Sequence, residues 1–393
     1  MRIEAVDIFY LRMPEVLDIG DGSQDATLVR VAAGGVVGWG QCEASPLASI
    51  AALVAPMSHS ACKPVAASVV GQRLDAIADI GRIGDAVRAA SLDLLQAEHT
   101  LSGIDIALWD LIGKRLGEPV WRLLGYPRAY PKRPYSSVLF GDTPAQTLAK
   151  ARAARAAGFT AAKFGWGPYG RGGVAEDREQ VVAAREGLGR DGILLIDAGT
   201  VWGDDVATAA LRLDALREAR ATWLEEPFHT GALDAYATLA KRSAPVAIAG
   251  GEGSHNQHMA RHLIDHGGVG FIQIDTGRIG GITPAKAVAD HARAAGVTYV
   301  NHTFTSTLSL CASLQPYAGM ERDEICELPT EPKALSLRLT RERLVPGGDG
   351  MLRLPESPGL GVTPDPAVIR EFLVDTEIRV AGKVLYRTPA IDG

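Results

Sequence analysis

The sequence predicts an α/β protein built on a closed parallel β-barrel, with a smaller α+β unit ahead of it. Three observations carry this. Eight short apolar segments, at 134–140, 161–165, 193–197, 222–226, 246–250, 270–275, 298–302 and 325–328, alternate with stretches long enough for helices. Three carboxylates, Asp197, Glu225 and Glu252, close three of these segments (GILLID, ATWLE and PVAIAGGE) at intervals of 28 and 27 residues, which suits a strand, a loop, a helix and a return. No glycine-rich phosphate loop or Rossmann fingerprint follows a strand, which argues against an open dinucleotide-binding sheet.

Taken in order, residues 2–12 alternate as a strand, and 25–43 read as two strands about a Gly-Gly turn, an antiparallel hairpin. The stretch 84–116 has a helical period, with Leu94, Leu95, Ile104, Ile106, Ala107, Leu108 and Leu111 forming its apolar stripe. From Tyr135 the strand–helix rhythm begins. Its intervening segments, such as TPAQTLAKARAARAAG and TPAKAVADHARAAG, often end in the glycine that helix C-termini favour. The tail from 346 is rich in Pro and Gly, and its closing EIRVAGKVLY is expected to return to the N-terminal sheet.

With 393 residues the chain exceeds one ordinary domain. A net charge of −6 and scattered Lys and Arg give no reason to expect nucleic acid as a partner. Cys42, Cys62, Cys311 and Cys326 form no CxxC and no regular framework, so reduced thiols are expected. There is no signal-peptide h-region in MRIEAVDIFYLRMPE and no apolar run of membrane-spanning length. The expectation is a cytoplasmic protein without a membrane partner.

Strand ends of a parallel barrel open onto one face. Three acids gathered there repel one another unless a cation is bound, and oxygen-only ligands select a hard ion such as Mg²⁺. Glu226 is set aside as a ligand, because neighbours in a strand point to opposite sides. His302 ends the segment TYVNH and Asp275 ends the preceding one, so adjacent strand ends bring an imidazole and an orienting carboxylate together.

The helical stretch SGIDIALWDLIGKRLGEPVWRLLG (102–125), DAG (197–199), WLEEP (223–227), AGGE (249–252), DTGRIGGIT (275–283), NHTFTS (301–306) and PGLGV (358–362) follow one another in an ordered set. Together they resemble the enolase superfamily on its mandelate racemase side, over almost the whole chain. The resemblance implies an N-terminal α+β capping domain (1–125), a modified TIM barrel of (β/α)₇β type (126–345) and a C-terminal segment (346–393) returning to the cap. It implies abstraction of the proton α to a carboxylate, with the enolate stabilised on Mg²⁺ held by Asp197, Glu225 and Glu252. It also suggests a homo-oligomer, an octamer or a dimer.

On that resemblance, His302 with Asp275 is the acid/base dyad, and Lys163 in TAAKFGWG is the second basic residue. Where the family often carries Lys-x-Lys, this chain has Gly165 at the second position, and it has Gly199 where Asn is frequent. Racemisation needs two opposed bases, so the missing second lysine disfavours it. Glu327 in EICELP matches the last-strand Glu that hydrogen-bonds the developing enediolate. Arg278 compensates the ligand charge, and Trp166 and His255 are candidates to wall the pocket. The loops around Asp18–Gly22 and 58–63 are candidate lids that read the far end of the substrate. These residues point first to a hydro-lyase acting on a sugar acid, an aldonate or aldarate. The alternative is an isomerase of the same partial reaction, a lactone cycloisomerase or a racemase/epimerase, and the remote one is a non-catalytic sugar-acid binder.

Overall fold

The computed structural model describes residues 1–94 and 97–391. Strands β1 (Ile3–Arg12), β2 (Asp25–Ala33) and β3 (Val36–Cys42) form an antiparallel sheet in that order. Gly34 and Gly35, at φ 58° and 76°, supply the left-handed pair that a two-residue hairpin turn requires. Helix Ala97–Leu116 lies on β3 at very short range. A Cβ on Gly38 would stand 2.0 Å from the Ala107 carbonyl oxygen, and one on Gly40 2.0 Å from that of Gly103. The same helix reaches the barrel. Ser102 accepts the Gly280 N–H at 2.8 Å, Asp105 accepts the Thr283 N–H at 3.1 Å and its hydroxyl at 2.6 Å, and the Trp109 indole donates to Thr283 at 2.9 Å.

The periodicity over 84–116 merges what are two helices. The first, Ala78–Ala90, stops at Ser91, whose hydroxyl donates to the Lys63 carbonyl, and the chain turns before Ala97. Leu94 packs against the cap core from the turn, and Leu95 lies outside the described residues.

Eight parallel strands follow: β4 (Arg133–Leu139), β5 (Ala161–Gly165), β6 (Ile193–Asp197), β7 (Ala221–Glu225), β8 (Ala247–Gly250), β9 (Phe271–Asp275), β10 (Thr298–His302) and β11 (Ile325–Pro329). They run in sequence order from β4 to β10, with β11 beside β4. Tyr135, Ala161, Leu195, Trp223, Ala249, Val300 and Ile325 fill the interior, and a second apolar shell packs the helices onto the outside. The backbone ladder stops between β10 and β11. There the fully buried Asn301 side chain does the joining. Its Oδ1 accepts the Glu327 N–H and the Tyr317 hydroxyl, both at 2.9 Å, and its Nδ2 donates to Ser313 at 3.0 Å.

The tail returns to the cap, though not as a strand of its sheet. The Val374 N–H donates to the Tyr10 carbonyl at 2.8 Å and the Tyr386 hydroxyl to that of Ile8, while β12 (Glu377–Val380) and β13 (Lys383–Arg387) pair only with each other. Among the described residues, no helix is long and apolar enough to cross a membrane.

Candidate active site

Parallel pairing sets the acids side by side. Asp197 is in register with Gly165 on β5 and with Glu225 on β7, and Glu252 follows two residues after β8. Two residues before Gly165, Lys163 also points inward. Its buried ammonium lies 2.7 Å from Glu225 Oε1, 2.9 Å from Glu327 Oε1 and 3.8 Å from Asp197 Oδ2. The Trp223 indole donates to the other oxygen of Glu225 at 3.1 Å, and the Gly199 N–H donates to Asp197 at 2.8 Å. Burial pushes the carboxyls of Asp197 and Glu225 up, to about 6 and about 8, against the pull of Lys163. Burial works against the lysine's charge too, but Glu225, Glu327 and Asp197 outweigh it and hold its pKa well above the ordinary value.

On the other side, His302 Nδ1 is 2.7 Å from Asp275 Oδ2, and its Nε2 is 3.2 Å from Glu252 and 3.8 Å from Glu327. Burial lowers the imidazolium pKa, but Glu252, Glu327 and the Asp275 hydrogen bond together raise it to about 10. Glu327 therefore touches both basic residues. Its orientation is fixed by the Ser137 hydroxyl and the Thr303 N–H, each donating at 2.8 Å. Arg278 bridges Glu252 and Glu43, at 3.1 Å each.

Among the described residues, the three His, Asp or Glu donors whose atoms all lie within 4.8 Å of one another are those of Glu43, Asp275 and His302. These groups are internally paired, Asp275 with His302 and Glu43 with Arg278, just as Asp197 and Glu225 are paired with Lys163 and Glu252 with Arg278 and His302. Among the described residues, Asp197, Glu225 and Glu252 do not form a group of that kind, although their oxygens are of the hard type that suits a divalent cation. Burial is the main cause of the upward shifts of Asp197 and Glu225, while Glu252, despite its burial, is held below its ordinary value by His302 and Arg278.

A cavity of about 300 Å³ opens over these groups, and Lys163, Asp197, Glu252, Arg278, His302 and Trp166 all line it. Trp166 stands at a left-handed φ of 57° just past β5. Its ring is held between two glycines: a Cβ on Gly199 would come within 2.9 Å of it, and one on Gly20 of the cap within 3.0 Å. A Cβ on Gly165 would meet Asp197 Oδ2 at 2.6 Å. At both departures from the family pattern the adjacent space is filled, by the indole beside position 199 and by the Asp197 carboxylate beside position 165.

Two expected pocket residues are displaced. Asp18 is exposed on its loop, and Asp21 lines the cavity in its place, accepting hydrogen bonds from the Ser23 N–H and hydroxyl. His255 turns away from the cavity onto the ring of His99, centroid to centroid 4.6 Å, because the loop after Glu252 bends back toward helix Ala97–Leu116. Glu43, one residue beyond β3, is a cavity residue that the sequence reading missed. The signal was present, since it too is an acid closing a strand. Glu226 is also buried. It lies past the end of β7 at φ 41°, where strand alternation no longer holds, and accepts the Gly253 N–H at 3.4 Å.

Comparison with known proteins accords with this geometry. Residues 146–368 match the family model described as enolase C-terminal domain-like, and residues 10–125 match that of the mandelate racemase / muconate lactonizing enzyme N-terminal domain. A D-galactarolactone cycloisomerase from Agrobacterium fabrum is 30% identical over 86% of this chain and 88% of its own. An arabinonate dehydratase from Saccharolobus solfataricus is 29% identical over 69% of this chain and 71% of its own. The crystal structure of a predicted mandelate racemase from Rhodobacter sphaeroides superposes with a TM-score of 0.95 at 61% identity, covering 99% of this chain and 100% of that one. The chain belongs to the mandelate racemase / muconate lactonizing enzyme family of the enolase superfamily.

Proposed function

We propose that this member of the mandelate racemase / muconate lactonizing enzyme family is a Mg²⁺-dependent hydro-lyase that converts a sugar acid to a 2-keto-3-deoxy acid. Relatives that dehydrate or cycloisomerise sugar acids support the substrate class. The observation that carries the reading is the placing of two basic residues against one carboxylate. His302, aligned by Asp275, and Lys163 both touch Glu327, from β10 and β5 respectively.

The proton α to a carboxylate is hard to remove because its loss leaves two negative charges on one carboxyl group. Mg²⁺ held by Asp197, Glu225 and Glu252 would supply the positive charge that stabilises this enediolate, while neutralising carboxylates that now hold Lys163 and His302 protonated. Lys163, relieved of its proton, takes the α-hydrogen, and the C–H electron pair enters the enediolate. Glu327, which lies against both Lys163 and His302, would complete the hydrogen-bond network around the enediolate oxygen. His302 gives its proton to the departing β-hydroxyl, which leaves as water, and the resulting enol tautomerises to the ketone. If elimination is syn, His302 performs both transfers.

A lactone cycloisomerase is the second reading. It is favoured by the long overlap with the galactarolactone cycloisomerase, and would use the same groups with a ring oxygen as leaving group and a proton returned to carbon. A screen of aldonates, aldarates and lactones in D₂O with Mg²⁺ separates the readings. A 2-keto acid with water lost is the expected product. Deuterium at the α-carbon with unchanged composition would make the protein an isomerase, and no exchange on any sugar acid would refute both.

A further inference from the structure

The dyad has a neighbour from the cap. Glu43, one residue past β3, brings a carboxylate oxygen within 4.8 Å of both the Asp275 carboxylate and the His302 imidazole. Its backbone N–H donates to the Gly277 carbonyl at 3.1 Å, so the cap strand is fastened to the segment that follows Asp275. Its side chain lies against Gly22, where a Cβ would stand 2.9 Å from Oε1, and faces the cavity beside Arg278 and His302. Arg278 in turn lies among three carboxylates. Its Nη2 is 3.1 Å from Glu43 Oε1, its Nη1 3.1 Å from Glu252 Oε1, and its Nε 3.9 Å from Asp275 Oδ2. That last oxygen is the one held 2.7 Å from His302 Nδ1, and the other oxygen of Asp275 accepts the Gly277 N–H at 2.6 Å.

A guanidinium is a strong, planar donor that seeks carboxylate oxygens in pairs. About 1 Å closer to Asp275, the Arg278 Nε would reach hydrogen-bonding distance of the oxygen that sets the direction and tautomer of the imidazole. Glu252 restrains Arg278 only in part, since it also faces His302 Nε2 at 3.2 Å. Among the described residues, Glu43 forms an ion pair with Arg278 alone. We infer that Glu43 is a positioning residue: by tethering Arg278 to the cap it keeps the guanidinium off Asp275 Oδ2 and leaves that oxygen to His302. The cap thus reaches the chemistry through one carboxylate and one arginine. This rests on the proposed acid/base role of His302.

The test follows the His302 Nδ1–H proton, which a hydrogen bond to carboxylate moves far downfield in ¹H NMR and which His302→Asn assigns. Alongside it, kcat and KM are measured with Mg²⁺ for α-deuterium exchange on a panel of aldonates, aldarates and lactones. Burial and Asp275 push the Glu43 carboxyl up to about 7 against Arg278 and His302, so both measurements are made at about pH 8.5. Glu43→Gln keeps the side-chain volume and the Gly277 bond while removing the charge. It is expected to shift or broaden the resonance and to lower kcat by about 10- to 100-fold, with KM held within about 3-fold. Glu43→Asp, still charged but too short to hold Arg278, should behave alike. Adding Arg278→Gln to Glu43→Gln removes the competitor, so the resonance should return. An unchanged resonance and kcat in both Glu43 variants overturn the inference and leave the proposed reaction standing. A raised KM at constant kcat overturns it too, by placing Glu43 on the substrate, as does a resonance still displaced in the double variant. Loss and return of the resonance in a protein that exchanges no acid of the panel refutes the reaction and upholds the tether.

Discussion

Replacing Asn301 with alanine should open the seam of the barrel. The side chain is fully buried and stands where the β10–β11 ladder is missing. Its loss orphans the Glu327 N–H, at about 1–3 kcal/mol for a buried unpaired donor. The bonds from Tyr317 and to Ser313 go as well, each worth about 1 kcal/mol net. Tyr317 keeps a second acceptor, the Ile325 carbonyl at 3.2 Å, so its share is partly recovered. The sum is roughly 2–5 kcal/mol, a large part of the 5–15 kcal/mol that ordinarily separates folded from unfolded protein. Urea unfolding followed by tryptophan fluorescence reads this as a lower midpoint. Because Asn301 also sets the backbone of Glu327, turnover should fall at urea concentrations where the variant remains folded. A midpoint within about 1 kcal/mol of the parent would refute the argument, and would mean that packing alone closes the barrel.

Gly165→Ala should push Asp197 aside and weaken Mg²⁺ binding by about 10- to 100-fold in calorimetry, and unchanged affinity would remove Asp197 from the ligand set. Gly40→Ala drives a methyl into the Gly103 carbonyl, so a loss of about 3 kcal/mol or more is expected, and a normal melting temperature would contradict the helix placement. Burial, with help from His255 and Arg278, lowers the His99 pKa from 6.5 to about 4. The unfolded chain then binds the extra proton first, so stability present above pH 6.5 is lost as pH falls toward 4, by roughly 3 kcal/mol from this residue. His99→Gln should flatten that limb of the stability profile, and an unaltered slope would show that His99 contributes nothing to it.

The barrel was legible because its strands are short apolar runs at regular intervals, and the acids that close them fall on one face for a geometric reason. The dyad was legible on the same ground, since Asp275 and His302 are paired in register on neighbouring strands. What sequence spacing does not encode is the path of loops. Asp18 and Asp21 sit three residues apart in one loop, and only its fold selects Asp21 for the cavity. His255 fails likewise, because the loop after Glu252 carries it to His99. Glu43 was missed because the hairpin was read as scaffold, although its last strand points an acid into the cavity. The consequence of Gly165 was visible only as a missing lysine. That the Asp197 carboxylate occupies the vacant space is a fact of three dimensions.

Helix Ala97–Leu116 touches β3 through glycines on one side and grips the Gly280–Thr283 loop with Ser102, Asp105 and Trp109 on the other. The segment 276–281, which joins Asp275 to the next helix, carries Arg278. The helix thus sets the spacing between β3, which leads into Glu43 of the cavity, and the loop after Asp275, which orients the imidazole. A larger residue at Gly38 or Gly40 would widen that contact, and a displaced Asp275–His302 pair is the expected result. Altered activity in a cap variant therefore should not be read as changed substrate choice until the protonation of His302 has been followed by NMR in the same protein.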